Sequence, residues 1–424
     1  MNKLKEYKLN ELYRMSSGIS SSKAQAGNGY PFVSFRDIFN NTILPENLTE
    51  LMNTSDQERI KYSVKKGDVF ITRTSETPDE LAMSSVALKD YPNATFSGFA
   101  KRLRPIDNKK VYDEYMAFYF RSKYFRKIIN ANTIMTLRAS FNEEIFSYIK
   151  IQLPDYDTQV KIGDMLYKIE NKIQINNQIN NNLEELMKTI YQRWFIEFEF
   201  PNDDGKPYKS SGGRLVYNEE LKQKIPENWN VGNCYNNNLY EIIKPGIQRF
   251  ETKNYLATGN VDRSNIADGE WIQYDNRESR ANMQPLPNSI WFAKMKNSIK
   301  HITLPDNSDW FNKKYILSTG FLGIKCKENT LSYLHCFINS DYFEKIKDML
   351  AHGATQEAIN NEDLRAIKLL IPDKQILKSF ENYTKAIIHK ELDTIRENQR
   401  LNSLKEFLLP MLMNGQINVD DIEI

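Results

Sequence analysis

The feature that most constrains this chain is an internal repeat. Tyr119-x-x-Ser122-x-Tyr124-Phe125-x-Lys127-Ile128 recurs 218 residues later as Phe337-x-x-Ser340-x-Tyr342-Phe343-x-Lys345-Ile346. At the same offset, Ile149-Lys150-x-x-Leu153-Pro154-Asp155 returns as Ile367-Lys368-x-x-Ile371-Pro372-Asp373. Ser97-Gly98-Phe99 matches Thr319-Gly320-Phe321, and Gly18-Ile19 matches Gly246-Ile247, with the drift in offset that loop insertions produce. Several anchors in one order indicate a duplicated unit, a mixed domain followed by a long helix.

The two helical runs carry complementary seams. From Ile162, alternate steps of four and three reach Leu166, Ile169, Ile173, Asn176, Asn180, Leu183, Met187, Ile190 and Trp194, eight of the ten positions apolar. Such a stripe faces a partner helix. It spans roughly 33 residues, or about 50 Å. A second run, from Gln375 to about Leu412, carries Ile376, Phe380, Tyr383, Ile387, Ile388, Leu392, Ile395, Leu401, Leu404, Leu408 and Met411. Asn398, Gln399 and Asn402 interrupt it, and Pro410 and Gly415 suit its end. Antiparallel packing with Ile162 beside Met411 brings Asn176 level with Asn398, where asparagines in an apolar seam fix register at some cost in stability. Pairing is expected through Ile162, Leu166, Ile169, Ile173, Asn176, Asn180, Leu183 and Ile190 against Ile388, Leu392, Ile395, Asn398, Leu401, Leu404 and Leu408.

The expected fold is α+β, two similar globular domains separated by two long helices in an antiparallel coiled coil, with the pseudo-twofold relation that duplication implies. The boundaries read as a first domain over 1–155, a central helix over 156–200 and a linker over 201–225. A second domain covers 226–373, a C-terminal helix 374–412 and a tail 413–424. The linker assignment rests on Pro201-Asn202-Asp203-Asp204-Gly205-Lys206-Pro207 and Ser210-Ser211-Gly212-Gly213. A helix is expected from Asp113 to about Asn130, and the Pro-Asp steps at 154–155 and 372–373 read as hinges.

Charge is balanced, 57 basic residues against 55 acidic, so any nucleic-acid contact must come from local patches. Three cysteines without a CxxC pair, no long apolar run and no signal-peptide core lead to the expectation of a soluble, cytoplasmic protein. No phosphate-cradling loop, dinucleotide glycine fingerprint or Asn/Asp-Pro-Pro-aromatic tetrapeptide is present, and the four histidines are scattered. No catalytic, cofactor-binding or metal-binding residue is therefore assigned.

Binding features remain. Asp68 to Ser75 aligns with Ser289 to Lys296, and each strand leads into a loop that starts on a cation, Arg73-Thr74-Ser75 against Lys294-Met295-Lys296-Asn297. A second loop pair is Thr136 to Ser140 against Ala354 to Ala358, each preceding an asparagine, Asn142 or Asn360. Such loops can place cations on phosphates and side-chain forks on base edges, arginine on guanine and glutamine on adenine; the first pair equally fits a solvated basic turn and the second a cap on the following helix. The candidate DNA-binding residues are Arg73, Thr74, Ser75, Arg102, Arg138, Ser140, Lys294, Lys296, Asn297, Thr355 and Gln356. Arg102 belongs to a cluster Lys101-Arg102-x-Arg104. The basic residues Arg121, Lys123, Arg126 and Lys127 read as an ordinary solvated helix face.

With these motifs in order and duplicated, the chain resembles the specificity subunit of type I restriction–modification systems over essentially its whole length. The Gly353-Ala354-Thr355-Gln356-x-x-Ile359-Asn360 loop and the linker from Gly205 to Gly213 add to the likeness. The first copy departs at its loop, reading Thr136-Leu137-Arg138-Ala139-Ser140-Phe141. The resemblance implies a targeting module without an active site. Each domain would be a target-recognition domain reading half of a split DNA sequence, and the helices would space the domains and dock two methyltransferase subunits. S-adenosylmethionine, ATP and magnesium would belong to the methyltransferase and restriction subunits. Diverged domains imply an asymmetric target, and a ~50 Å spacer corresponds to about 14 base pairs. The competing readings are a structural adaptor that binds no DNA and a single-chain restriction enzyme, whose motifs the sequence lacks.

Overall fold

The computed structural model describes residues 4–20, 23–75, 80–132, 139–235, 237–417, 419 and 422. It divides into two compact α+β units. Unit 1 comprises Met1–Ile173 with Leu401–Ile424, and unit 2 comprises Gln174–Arg400. Each unit therefore holds one mixed domain and a segment of each long helix.

In unit 1 a four-stranded antiparallel sheet has the order Tyr13–Ser17, Ala100–Pro105, Val69–Thr72, Ser84–Val86. A smaller sheet sets Ala26–Val33 antiparallel to Leu51–Met52 and parallel to Thr95–Phe96. Helices Asp113–Arg121 and Lys123–Asn132 cover the larger sheet, and Lys5–Lys8 pairs with Lys150–Leu153 just before the central helix. Unit 2 repeats this plan. Its sheet runs Tyr240–Ile242, Phe321–Cys326, Ser289–Ala293, His301–Leu304, and Thr252–Leu256 lies parallel to Tyr315–Ser318 in a second sheet. Helices Leu331–Ile338 and Asp341–Leu350 follow, and Asn230–Asn233 pairs with Lys368–Ile371. The duplication is thus one of strand order and pairing.

The repeated motifs have structural reasons. Ser122 and Ser340 stop one helix and cap the next, so the single helix expected from Asp113 is two. Each hydroxyl donates to the preceding turn, at Tyr119 or Phe337 O, 2.6 Å, and accepts from Phe125 or Phe343 N, 3.2 Å. This is an N-cap with phenylalanine at the third helical position, and both rings are fully buried. The Pro-Asp steps likewise cap helices. Asp155 Oδ1 accepts from Thr158 N at 2.9 Å and Asp373 Oδ1 from Gln375 N at 2.7 Å. One anchor shifts. Thr72 pairs with Ala100 and Ala293 with Phe321, so Phe99 corresponds to Gly320 rather than to Phe321.

The central helix spans Tyr156–Tyr191 and ends in a π-helical turn, Gln192–Ile196; the C-terminal helix spans Lys374–Met413. Among the described residues no helix is long and apolar enough to cross a membrane. In unit 1, Ile162, Met165 and Leu166 share a core with Leu408, Leu412 and Met413, and Lys405 reaches Glu170 at 2.7 Å. In unit 2, Asn176 Nδ2 donates to Asn398 Oδ1 at 2.9 Å, and Thr394 hydrogen-bonds Asn180. Both patterns are antiparallel. Leu404, expected in the seam, is 37% exposed. The inward stripe steps through Leu401, Lys405, Leu408 and Leu412, and the Lys405 ammonium takes the place assigned to a leucine.

The stretch expected to be a linker is ordered within unit 2. Phe200 stacks between Tyr208 and Trp229, with ring centroids at 4.6 and 5.1 Å. Leu215–Asn218 and Gln223–Pro226 then form a hairpin. Three aromatic rings hold a Gly- and Ser-rich segment that composition alone reads as loose.

Candidate nucleic-acid interface

In both units the described parts of the two loops singled out from sequence, which in unit 1 are Arg73 to Ser75 and Ala139 to Ser140, lie side by side at the end of a buried central strand. In unit 1, Val69–Thr72 emerges into Arg73-Thr74-Ser75. Thr74 pairs with Ser140 and Ser75 with Ala139, and Phe141 N donates to Arg73 O at 2.8 Å. A third segment closes the rim, because Arg73 N donates to Phe99 O at 2.8 Å. In unit 2 the same positions meet. Met295 bridges Ala358, Ile359 N donates to Lys294 O at 3.0 Å, and Lys294 N donates to Gly320 O at 3.0 Å. Backbone hydrogen bonds thus fix three segments far apart in sequence and leave their side chains free to differ.

The chemistry of the two rims does differ. Arg73 is exposed, with Thr74, Ser75 and Ser140 half-buried beside it, whereas Arg138 lies outside the described residues. In unit 2, Lys294 is half-buried and burial lowers its pKa from the ordinary lysine value. Lys296 is exposed and pairs with Glu357 at 2.9 Å. Asn297 is exposed with a positive φ of 54°, a conformation asparagine tolerates, and its N–H donates to Asp348 at 3.0 Å. Thr355 and Gln356 stand exposed at the tip of a turn closed by reciprocal His352 and Ala358 backbone bonds. Gly353 makes that turn possible. Its φ is +135°, and a Cβ there would lie 2.5 Å from Gln356 O.

The other basic cluster is placed elsewhere. Arg102 is 8% exposed, donates to Ser63 O at 2.6 Å and lies over the Phe96 ring, so it is not presented to a ligand. Its neighbour Arg104 forms a fork with the fully buried Asp68, at 2.7 and 2.6 Å, and Lys101 reaches Ser17 and Glu143. Arg121 is not solvated either. Its guanidinium donates to the carbonyls of Ile38, Phe39, Asn41 and Ser84, and burial pulls its pKa down to about 10. These cations brace the domain. A run of basic letters does not reveal which carbonyl or carboxylate each one meets.

Among the seam residues, Ile162, Leu166, Ile169 and Ile173 in unit 1, and Asn176, Asn180, Ile388, Leu392, Ile395 and Asn398 in unit 2, are buried. Leu183, Ile190 and Leu401 are half-buried. Sequence reading missed two further polar members of the stripe, Thr394 and Glu391, because among polar residues it followed only the asparagines. Among the described residues no three His, Cys, Asp or Glu side chains gather to hold a metal ion.

Comparison with known proteins bears on this architecture. Residues 1–185 match the family model described as the type I restriction modification DNA specificity domain. The chain is 22% identical to the type I restriction enzyme HindI specificity subunit of Haemophilus influenzae, over 98% of this chain and 100% of that one. It is 23% identical to the MjaIX specificity subunit of Methanocaldococcus jannaschii, over 98% and 94%. The crystal structure of the S subunit of a type I restriction–modification system from M. genitalium shares the fold, with a TM-score of 0.55 and 11% identity over 97% and 96% of the two chains. The repeated domain, the paired helices and these likenesses converge: the chain is similar over nearly its whole length to specificity subunits of type I restriction–modification systems.

Proposed function

We propose that this chain recognises a bipartite, asymmetric DNA sequence, each unit reading one half through its rim. The observation that carries this is the same three-segment rim, built twice on one backbone plan and fitted with different side chains. In unit 1 the readers are Arg73, Thr74, Ser75, Arg138 and Ser140, and in unit 2 Lys294, Lys296, Asn297, Thr355 and Gln356. Exposed Arg73 and Gln356 suit bidentate base contacts, and the lysines suit phosphates.

The long helices set the spacing of the half-sites and dock two methyltransferase subunits. Those subunits supply S-adenosylmethionine, and restriction subunits supply cleavage with ATP and magnesium. The chain itself is a targeting subunit and carries no cofactor of its own. Two rims of different chemistry favour DNA reading over a structural adaptor. Replacing Arg73 with alanine, in the complex with methyltransferase, should weaken binding about 5- to 150-fold at one half-site while leaving discrimination at the other intact. Unchanged discrimination at both halves would remove the rim from the DNA face.

A further inference from the structure

The two rims differ at one position that neither the repeat nor the basic residues bring out. Phe99 is 70% exposed, the most exposed large aromatic among the described residues of unit 1. A single exposed apolar side chain is ordinary on a protein surface. Phe99 is distinguished by where it stands and how it is held. Its carbonyl accepts from Arg73 N at 2.8 Å and its own N–H donates to Ser97 Oγ at 3.2 Å. The preceding Gly98 donates to Ile19 O at 2.8 Å, and a Cβ on Gly98 would sit 2.7 Å from that oxygen. The backbone is therefore fixed on both sides of a ring left in water beside the exposed Arg73.

Unit 2 has Gly320 at this position, its carbonyl oxygen accepting from Lys294 N in the same way. A Cβ there would lie 2.9 Å from Thr258 Cγ2, so the second rim has little room for a side chain. The backbone plan is shared, but the apolar group is present in one reader only.

We propose that Phe99 is a specificity-determining residue of unit 1, its ring entering the groove of one half-site and making an apolar contact with base edges that unit 2 does not make. Phenylalanine can discriminate bases in this way, as against a thymine methyl, and a backbone already held in place has no further ordering cost on binding. The inference rests on the reading of the rims as the DNA face, and the test separates the two.

The full chain, assembled with its methyltransferase subunits, is titrated by fluorescence anisotropy against three duplexes, the cognate target and the target with either half-site scrambled. Phe99→Ala is expected to lose roughly tenfold in affinity on the cognate duplex. The loss should vanish when one particular half-site is scrambled and persist when the other is. Its salt dependence should match that of the parent, because no phosphate contact is removed. Arg73→Ala serves as the control and should lose affinity at the same half-site. Parent-like affinity of Phe99→Ala beside a weakened Arg73→Ala, or an equal loss on all three duplexes, overturns the role of Phe99 alone. Parent-like binding by both variants overturns the reading of the rim and the inference with it. Both side chains are exposed, so thermal unfolding of the variants should match the parent.

Discussion

Buried polar groups in unit 2 show at residue scale what the helix seam and the sheet behind it demand. A cavity of ≈ 160 Å³ is lined by Glu184, Glu391, His301, His335 and Glu344 among others. Burial and then the Glu184 carboxylate raise the Glu391 carboxyl from 4.5 to about 7. Burial and then His301 lower the His335 imidazole from 6.5 to about 4. Folded Glu391 holds its proton more tightly than the unfolded chain does. Its contribution to stability is full below pH 4.5 and is lost as pH rises through 7. The imidazole behaves oppositely. Its contribution is full above pH 6.5 and is lost as pH falls toward 4, so the two slopes oppose each other in between. Glu391→Gln removes the first slope alone. The variant should exceed the parent by about 1–3 kcal/mol at pH 8, and the difference should shrink toward zero near pH 4.5. Urea unfolding at the two pH values measures this, and a pH-independent difference would contradict it.

At the scale of elements, the junction between the central helix and the first domain turns on a glycine. Gly163 sits where an added Cβ would come 2.6 Å from Tyr115 N and 2.8 Å from a Tyr112 ring carbon. Gln159 and Asp164 on the same helix bind Tyr112, through its N–H at 3.0 Å and its hydroxyl at 2.6 Å. The corresponding position in unit 2 is Glu381, whose carboxylate accepts from Ser332 N at 2.8 Å, at the start of helix Leu331–Ile338. Helix propensity alone makes Gly163→Ala stabilising by about 1 kcal/mol. The close backbone approach reverses the sign, with overpacking costing about 1–3 kcal/mol. Denaturant titration should find the variant less stable than the parent; a gain would show that the helix can back away. The seams were legible in sequence because a 3.5-residue repeat is local and covers many residues, and the asparagines stand out against it. Lys405 in place of Leu404 was not legible, because one residue of phase depends on a partner, Glu170, 235 positions away. The rims were half legible. Their loops carry recognisable cations and amides, but the pairing of Thr74 with Ser140 is a long-range backbone fact. Arg102 looked like a surface cation because the Ser63 carbonyl that holds it leaves no mark in the sequence.

At the scale of the whole molecule, one chain carries two units built on one plan. Strand order, helix caps and rim geometry are kept in both units, while the side chains at Arg73, Ser75 and Phe99 have become Lys294, Lys296 and Gly320. On the proposed reading, two different rims call for different half-sites, and the long helices call for a gap. Mapping of methylated adenines in a host that carries this chain with its methyltransferase tests the account most directly, done for the parent and for a variant with one heptad added to each long helix. The expected result is an asymmetric two-part motif with an unspecified gap, whose halves persist in the variant while the gap changes. A continuous or self-complementary motif, or a gap that stays the same when the helices lengthen, would contradict it.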